Sequence, residues 1–199
     1  MPNKLNLTQQ MKHQLRAEMI SQCKSFSADE RDLASQKLVA HCQVLLTLAN
    51  NIAVYNATRY ELDLTSLINC CLALGKHLYQ PIAYKDNKVM TFAGYHSNPK
   101  AIFSELSYAP QEQIEWYNLD LIFIPVTAVD KLGYRLGKGG GYYDATLAQT
   151  LTANADLIKV PLLCGIGFAC QMVEVLPVES WDIKLDYYVS ELGLIRFKD

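Results

Sequence analysis

What the 199 residues lack narrows the field first. Charged residues make up only 19%, and 18 Lys and Arg face 20 Asp and Glu, for a formal net charge of −2. A nucleic-acid binder needs clustered cations to neutralise phosphates, and this composition has no such surplus. No apolar stretch approaches the roughly 18–20 residues that span a bilayer. The opening segment, Met1 to Arg16, has no apolar core of the kind a secretory leader carries, so a cytoplasmic location is expected. The six cysteines (Cys23, Cys42, Cys70, Cys71, Cys164 and Cys170) contain no CxxC pair. Reduced, mostly buried thiols are expected rather than a disulfide framework or a zinc site. Four scattered histidines offer no metal cluster. No internal repeat or low-complexity tract is visible. Neither nucleic acid nor membrane is expected as a partner, and the absence of a long spare apolar stripe predicts a monomer.

What is present is a chain with 50% hydrophobic residues, enough for one domain over residues 1–199 with a real core. Residues 9–24 read as a helix. Ser27-Ala-Asp-Glu30 is a capping-box pattern, and the helix after it should run to about Ala49, with Leu38, Cys42, Leu45 and Ala49 on one face. Ile52 to Tyr55 reads as a buried strand. A helix from Asp63 should place Leu64, Leu67, Ile68 and Cys71 on one stripe and end at Gly75. His77 to Tyr79, ending at Pro81, and Val89 to Phe92 are further strand candidates, and residues 94–118 read as irregular. Asp120 to Val126 is nearly all apolar and predicts a central strand. Leu162 to Phe168 and Tyr187 to Val189 read as later strands. Strands alternating with helices predict a three-layer α/β domain, a largely parallel central sheet flanked by helices.

The segment Gly133-Tyr-Arg-Leu-Gly-Lys-Gly-Gly-Gly-Tyr-Tyr-Asp144 follows that central strand and precedes a helix of about ten residues. In open α/β sheets, ligands bind beyond the carboxyl ends of the strands. Glycines let backbone N–H groups approach an anion closely, and Arg135 and Lys138 add charge at the same place. The spacing fits neither a Walker A loop nor a dinucleotide fingerprint, but cations, tyrosines and an acid packed among glycines point to a phosphate site. Asp144 reads equally as a helix-start charge or as a magnesium ligand beside phosphate. Tyr142 and Tyr143 read either as the wall of a ring-binding pocket or as core packing.

This segment resembles the signature RLG-x-G-x-GYYD of the 5-formyltetrahydrofolate cyclo-ligase family, which Arg135 to Asp144 fits without a gap. Lys12-x-x-x-Arg16 is similar to the family's K-x-x-x-R, and Tyr55 to Asp63 to its acidic strand-end segment. Phe168-Ala-Cys-Gln171 and the stretch from Pro177 to Asp186 are similar to its F-x-x-Q and closing acidic segments. The chain departs from the family at Pro125 to Asp130, where PGVAFD is more usual, and at Ala145, where an Arg is frequent.

The resemblance implies an ATP- and Mg²⁺-dependent enzyme that closes 5-formyltetrahydrofolate to 5,10-methenyltetrahydrofolate. It implies ATP contacts from Lys12, Arg16, Arg135, Leu136, Gly137, Lys138, Gly139, Gly140, Gly141, Tyr142 and Tyr143. Folate contacts would come from Asn56, Glu61, Lys138, Gly139, Gly140, Gly141 and Tyr142. Arg135, Lys138 and Tyr143 carry the catalytic assignment, and Asp144 and Asp182 the metal. Asp186 is assigned a structural role. Architecture alone also suits a sugar-phosphate isomerase or CoA-transferase-like protein, or a binding protein without turnover.

Overall fold

Two long helices open the described part of the chain. The structure is a computed structural model that describes residues 7–84, 86–95, 113–148 and 159–197. Helix α1 spans Leu7–Ser25 and α2 spans Ala28–Leu48. The predicted capping box is present: Ser27 Oγ accepts from Glu30 N, and Glu30 Oε2 accepts from Ser27 N at 2.8 Å. Leu38, Cys42 and Leu45 are fully buried along one face of α2.

Strand β1 (Asn51–Ala53) follows, then α3 (Thr65–Ala73). This helix starts two residues later than Asp63 predicts, because Asp63 stands outside it and accepts from Thr65 N at 2.7 Å. The remaining strands and α-helix among the described residues are β2 (His77–Ile82), β3 (Thr91–Gly94), β4 (Gln113–Ile114), β5 (Leu121–Pro125), β6 (Ala128–Asp130), β7 (Arg135–Leu136), α4 (Tyr142–Leu147), β8 (Leu162–Ile166), β9 (Met172–Val173), β10 (Tyr187–Ser190) and β11 (Gly193–Arg196).

Among the described residues, eight strands form the main sheet in the order β11-β10-β8-β5-β1-β2-β3-β4. The five from β10 to β2 are mutually parallel, and the strands outside them pair antiparallel. The sheet is thus largely parallel and flanked by helices, as expected. Alternation along β5 shows both faces buried: Leu121 and Phe123 join a core with α2 and α3, while Ile122 and Ile124 join one with Trp116, Leu147, Ile183 and Leu185.

Several elements depart from expectation for local reasons. Strand β2 runs through Pro81 rather than stopping at it. Beyond Tyr79, β2 has lost β1 as a neighbour and pairs only with β3, so the missing N–H of Pro81 breaks no ladder. Strand β3 lies two residues later than predicted, and β4 and β11 are additional edge strands. A second sheet, β7-β6-β9, was not foreseen; its three strands are two or three residues long. Helix α4 is six residues rather than about ten; residues 149–158, where its expected remainder falls, lie outside the described residues, as do 96–112 of the segment read as irregular.

The connections out of β1 set the position of the site. From β1 the chain moves one way to β2, and later strands build the other way through β5, β8 and β10. The crevice between such divergent connections opens at the carboxyl ends of the strands.

Candidate functional site

A cleft of about 810 Å³ opens at that end of the sheet. Pro81 near the end of β2, Ala83 just past it and Pro125 at the end of β5 line it, together with the glycine turn 137–141. The small sheet sets the turn. Asp130, fully buried, accepts from Leu132 N and Tyr134 N through Oδ1, and from Leu176 N through Oδ2. These bonds shape the hairpin from β6 to β7 and deliver Arg135 at its end. Gln171, the last residue of the F-x-x-Q segment, braces the other side: its Nε2 donates to Val126 O at 2.8 Å and Thr127 O at 3.0 Å.

Arg135 is buried, with its side chain only 4% exposed. Its NH1 donates to Ile183 O and its NH2 to Asp144 Oδ1, both at 2.7 Å. The guanidinium therefore ties β7 both to the start of α4 and to the segment carrying Asp182. Gly139 and Gly141 have φ of +102° and +72°, a region that side chains with a Cβ avoid. At Gly140 a Cβ would lie 2.8 Å from the Tyr142 ring, so that ring packs flush on the turn.

Helix α1 brings its two cations from the other end of the chain. Arg16 Nε donates to Gly137 O at 2.8 Å, and burial lowers its pKa from the ordinary value. Lys12 Nζ meets Asp182 Oδ2 at 2.8 Å, and Glu179 N donates to the same oxygen at 2.9 Å. The spacing of four that put Lys12 and Arg16 on one helix face thus aims both into the cleft.

Lys138 also lines the cleft, and its Nζ lies 2.7 Å from Glu61 Oε1 and donates to Thr58 Oγ1 at 2.9 Å. Glu61 is not a helix-start acid. Its Oε2 accepts from Thr58 N and Thr58 Oγ1, holding a turn after β1. Asn56 is exposed in that same loop and, like Glu61, lies outside the cleft lining. Tyr143 lines the cleft while packing against the second core. Burial pushes its hydroxyl up, Arg135 pulls against that and Glu61 adds to it, so Tyr143 stays a protonated donor. Asp186 accepts from Leu163 N at 2.7 Å and fastens β8.

Among the described residues no group of three or more His, Cys, Asp and Glu gathers to hold a metal. Asp144 and Asp182 both line the cleft, and among the described residues each commits one oxygen to a cation and leaves the other. That suits a hard divalent ion that takes one or two carboxylates and completes its shell with phosphate oxygens and water. Sequence reasoning missed Lys88, Thr58 and Trp181. Lys88 and Trp181 face the cleft and Thr58 joins Lys138, yet none stands in a pattern that singles it out.

The sequence model of the 5-formyltetrahydrofolate cyclo-ligase family matches residues 8–191. The chain is 32% identical over 185 residues to the 5-formyltetrahydrofolate cyclo-ligase of Haemophilus influenzae, covering 88% of this chain and 95% of that one. It is 31% identical over 151 residues to the Escherichia coli K12 enzyme of the same name, covering 73% and 80%. Among solved structures, the 5,10-methenyltetrahydrofolate synthetase of Aquifex aeolicus matches with a TM-score of 0.73 at 27% identity, covering 95% of this chain and 94% of that one. No helix among the described residues is long and apolar enough to cross a membrane. On sequence and on fold alike, the chain belongs to the 5-formyltetrahydrofolate cyclo-ligase family, ligases of folate one-carbon metabolism.

Proposed function

We propose that the protein converts 5-formyltetrahydrofolate and ATP to 5,10-methenyltetrahydrofolate, ADP and phosphate, with Mg²⁺. The observation that carries this reading is that Lys12, Arg16 and Arg135 line one cleft with the glycine turn, and Asp144 and Asp182 line it too. The formyl oxygen attacks the γ-phosphorus of ATP, and the bond to the β–γ bridging oxygen breaks as ADP leaves. The second folate nitrogen then attacks the activated formyl carbon, and the carbon–oxygen bond breaks to release phosphate.

Such a transfer asks the protein for positioning and charge more than for a nucleophile. Lys12, Arg16 and the N–H groups of residues 136–141 hold the phosphates. Arg135 and Tyr143 fix the γ-phosphate end, and Lys138 stands between phosphate and folate. Tyr142 packs against the bound ring, and Asn56 and Glu61 receive the folate, with the Glu61 carboxylate accepting from ring N–H donors. Asp144 and Asp182 would hold Mg²⁺, whose chemistry is to neutralise charge on the β- and γ-phosphate oxygens. The unit at work is one domain, residues 1–199, acting as a cytoplasmic monomer; size-exclusion chromatography should then return a mass near 22.4 kDa.

The test is to mix purified protein with 5-formyltetrahydrofolate, ATP and Mg²⁺ and follow the absorbance of the methenyl product. ATP-dependent product is expected. Tight binding of ATP or folate without product would replace this reading with a binding protein, and neither binding nor product would remove it.

A further inference from the structure

Each cation assigned so far already has a partner: Lys12 has Asp182, Arg16 has Gly137 O, Arg135 has Asp144 and Ile183 O, and Lys138 has Glu61 and Thr58. Lys88 lines the same cleft and differs. Among the described residues no acceptor meets its ammonium. It sits on the connection from β2 to β3, away from every segment that resembles the family signature.

Its position is nonetheless held. Asn87 Oδ1 accepts from Val89 N at 2.9 Å, a turn closed around Lys88 itself. Two residues on, Met90 N donates to Thr146 Oγ1 at 2.9 Å, and Thr146 Oγ1 donates to Tyr142 O at 2.7 Å. Met90 and Thr146 are both buried. This chain of bonds locks the root of the Lys88 turn onto α4, directly behind the glycine turn. The ammonium ends 3.8 Å from where a Cβ on Gly141 would stand, while the Arg16 guanidinium carbon ends 3.6 Å from the same point on Gly139. The two cations therefore flank the glycine turn, Arg16 at Gly139 and Lys88 at Gly141.

We propose that Lys88 is a further phosphate-binding residue of this site, contacting the ATP phosphates from the side of the turn opposite Arg16. The proposal rests on the ATP-dependent reading above. An ammonium held beside the glycine turn, with no acceptor among the described residues, is arranged for an anion supplied from outside. Lys on a flexible stem can also follow charge as it moves from the γ-phosphoryl group to the leaving ADP. The folate glutamate tail is the other anion in the reaction, and the test separates the two.

The experiment compares the intact protein with Lys88→Ala, Lys88→Arg and, as a charge-loss control, Lys131→Ala, whose ammonium pairs with Glu174 on the surface. Binding of ADP and of a non-hydrolysable ATP analogue is measured by calorimetry, and KM is measured for ATP and for 5-formyltetrahydrofolate. Lys88→Ala is expected to weaken the ATP analogue about 10-fold to 100-fold, the range for losing one charged hydrogen bond. The folate KM should stay unchanged, Lys88→Arg should recover most of the loss, and Lys131→Ala should match the parent. Unchanged nucleotide binding in Lys88→Ala, or a rise in folate KM alone, overturns the assignment while the parent still binds ATP. Failure of the parent to bind ATP would instead strike the reading beneath it.

Discussion

The glycine turn and helix α1 bring cations to one cleft by opposite means. The turn is contiguous: Arg135 and Asp144 are nine positions apart, and the guanidinium between them is buried and doubly bonded. Helix α1 is remote: Arg16 reaches a carbonyl 121 positions away, and Lys12 a carboxylate 170 positions away. Each makes one such bond from a helix whose buried side chains are only Met19 and Cys23. The turn is therefore a frame fixed by the buried Arg135, and α1 is a wall set against it from a distant part of the chain. On the proposed reading, the frame defines where the phosphorus sits and the wall adds charge against the phosphates.

The sharpest way to break that contrast is Arg135→Ala. It strands the Asp144 carboxylate and the Ile183 carbonyl together, so a stability loss of about 3 kcal/mol is expected in urea unfolding. Methenyl formation should fall about 100-fold or more in kcat/KM. Full activity would show that Arg135 is framework alone.

Lys12→Ala should cost less. About a tenfold fall in kcat/KM for ATP is expected, with a stability loss of roughly 1 kcal/mol, because a single lysine contact on a partly solvated helix is removed. A stability loss equal to that of Arg135→Ala would erase the distinction between frame and wall.

Within the frame, Gly139→Ala isolates backbone from contact. Its new Cβ would meet Arg16 at an ordinary 3.6 Å, so the expected cost of about 1–2 kcal/mol comes from the positive φ alone. Denaturation with the ATP KM measured alongside checks it; no change in either would mean the turn tolerates another backbone path. At the foot of the wall, Ser27→Ala removes the exposed cap of α2 and should cost about 1 kcal/mol with kcat/KM unchanged. A change in activity would mean that the α1–α2 corner reaches the site.

How much of this was legible follows the same division. The α2 cap could be read because its signal is complete within four residues. The turn could be read because cations, glycines and the acid stand side by side. Lys12 and Arg16 look by themselves like any solvated helix face, and only their resemblance to the family segment gave them a role. The small sheet was invisible: Arg135 and Leu136 pair with Val129 and Ala128 across a hairpin, and a two-residue strand has no periodicity to detect. The run of β2 past Tyr79 was hidden because Pro81 reads as a stop unless the length of the neighbouring strand is known. Lys88 was illegible because it gains meaning only from the bond between Met90 and Thr146, residues 56 positions apart.

The pairing of Lys12 with Asp182 also bears on how the molecule is made. A chain growing from its amino end exposes Lys12 and Arg16 first, and the partner of Lys12 is added 170 residues later. At cellular synthesis rates that interval is roughly 10–30 s. Through it the strands up to β8 can assemble while Lys12 waits for its partner, so the cleft is complete only after Asp182 has been made. A nascent chain halted before Asp182 would carry the glycine turn yet lack the partner that fastens its first helix.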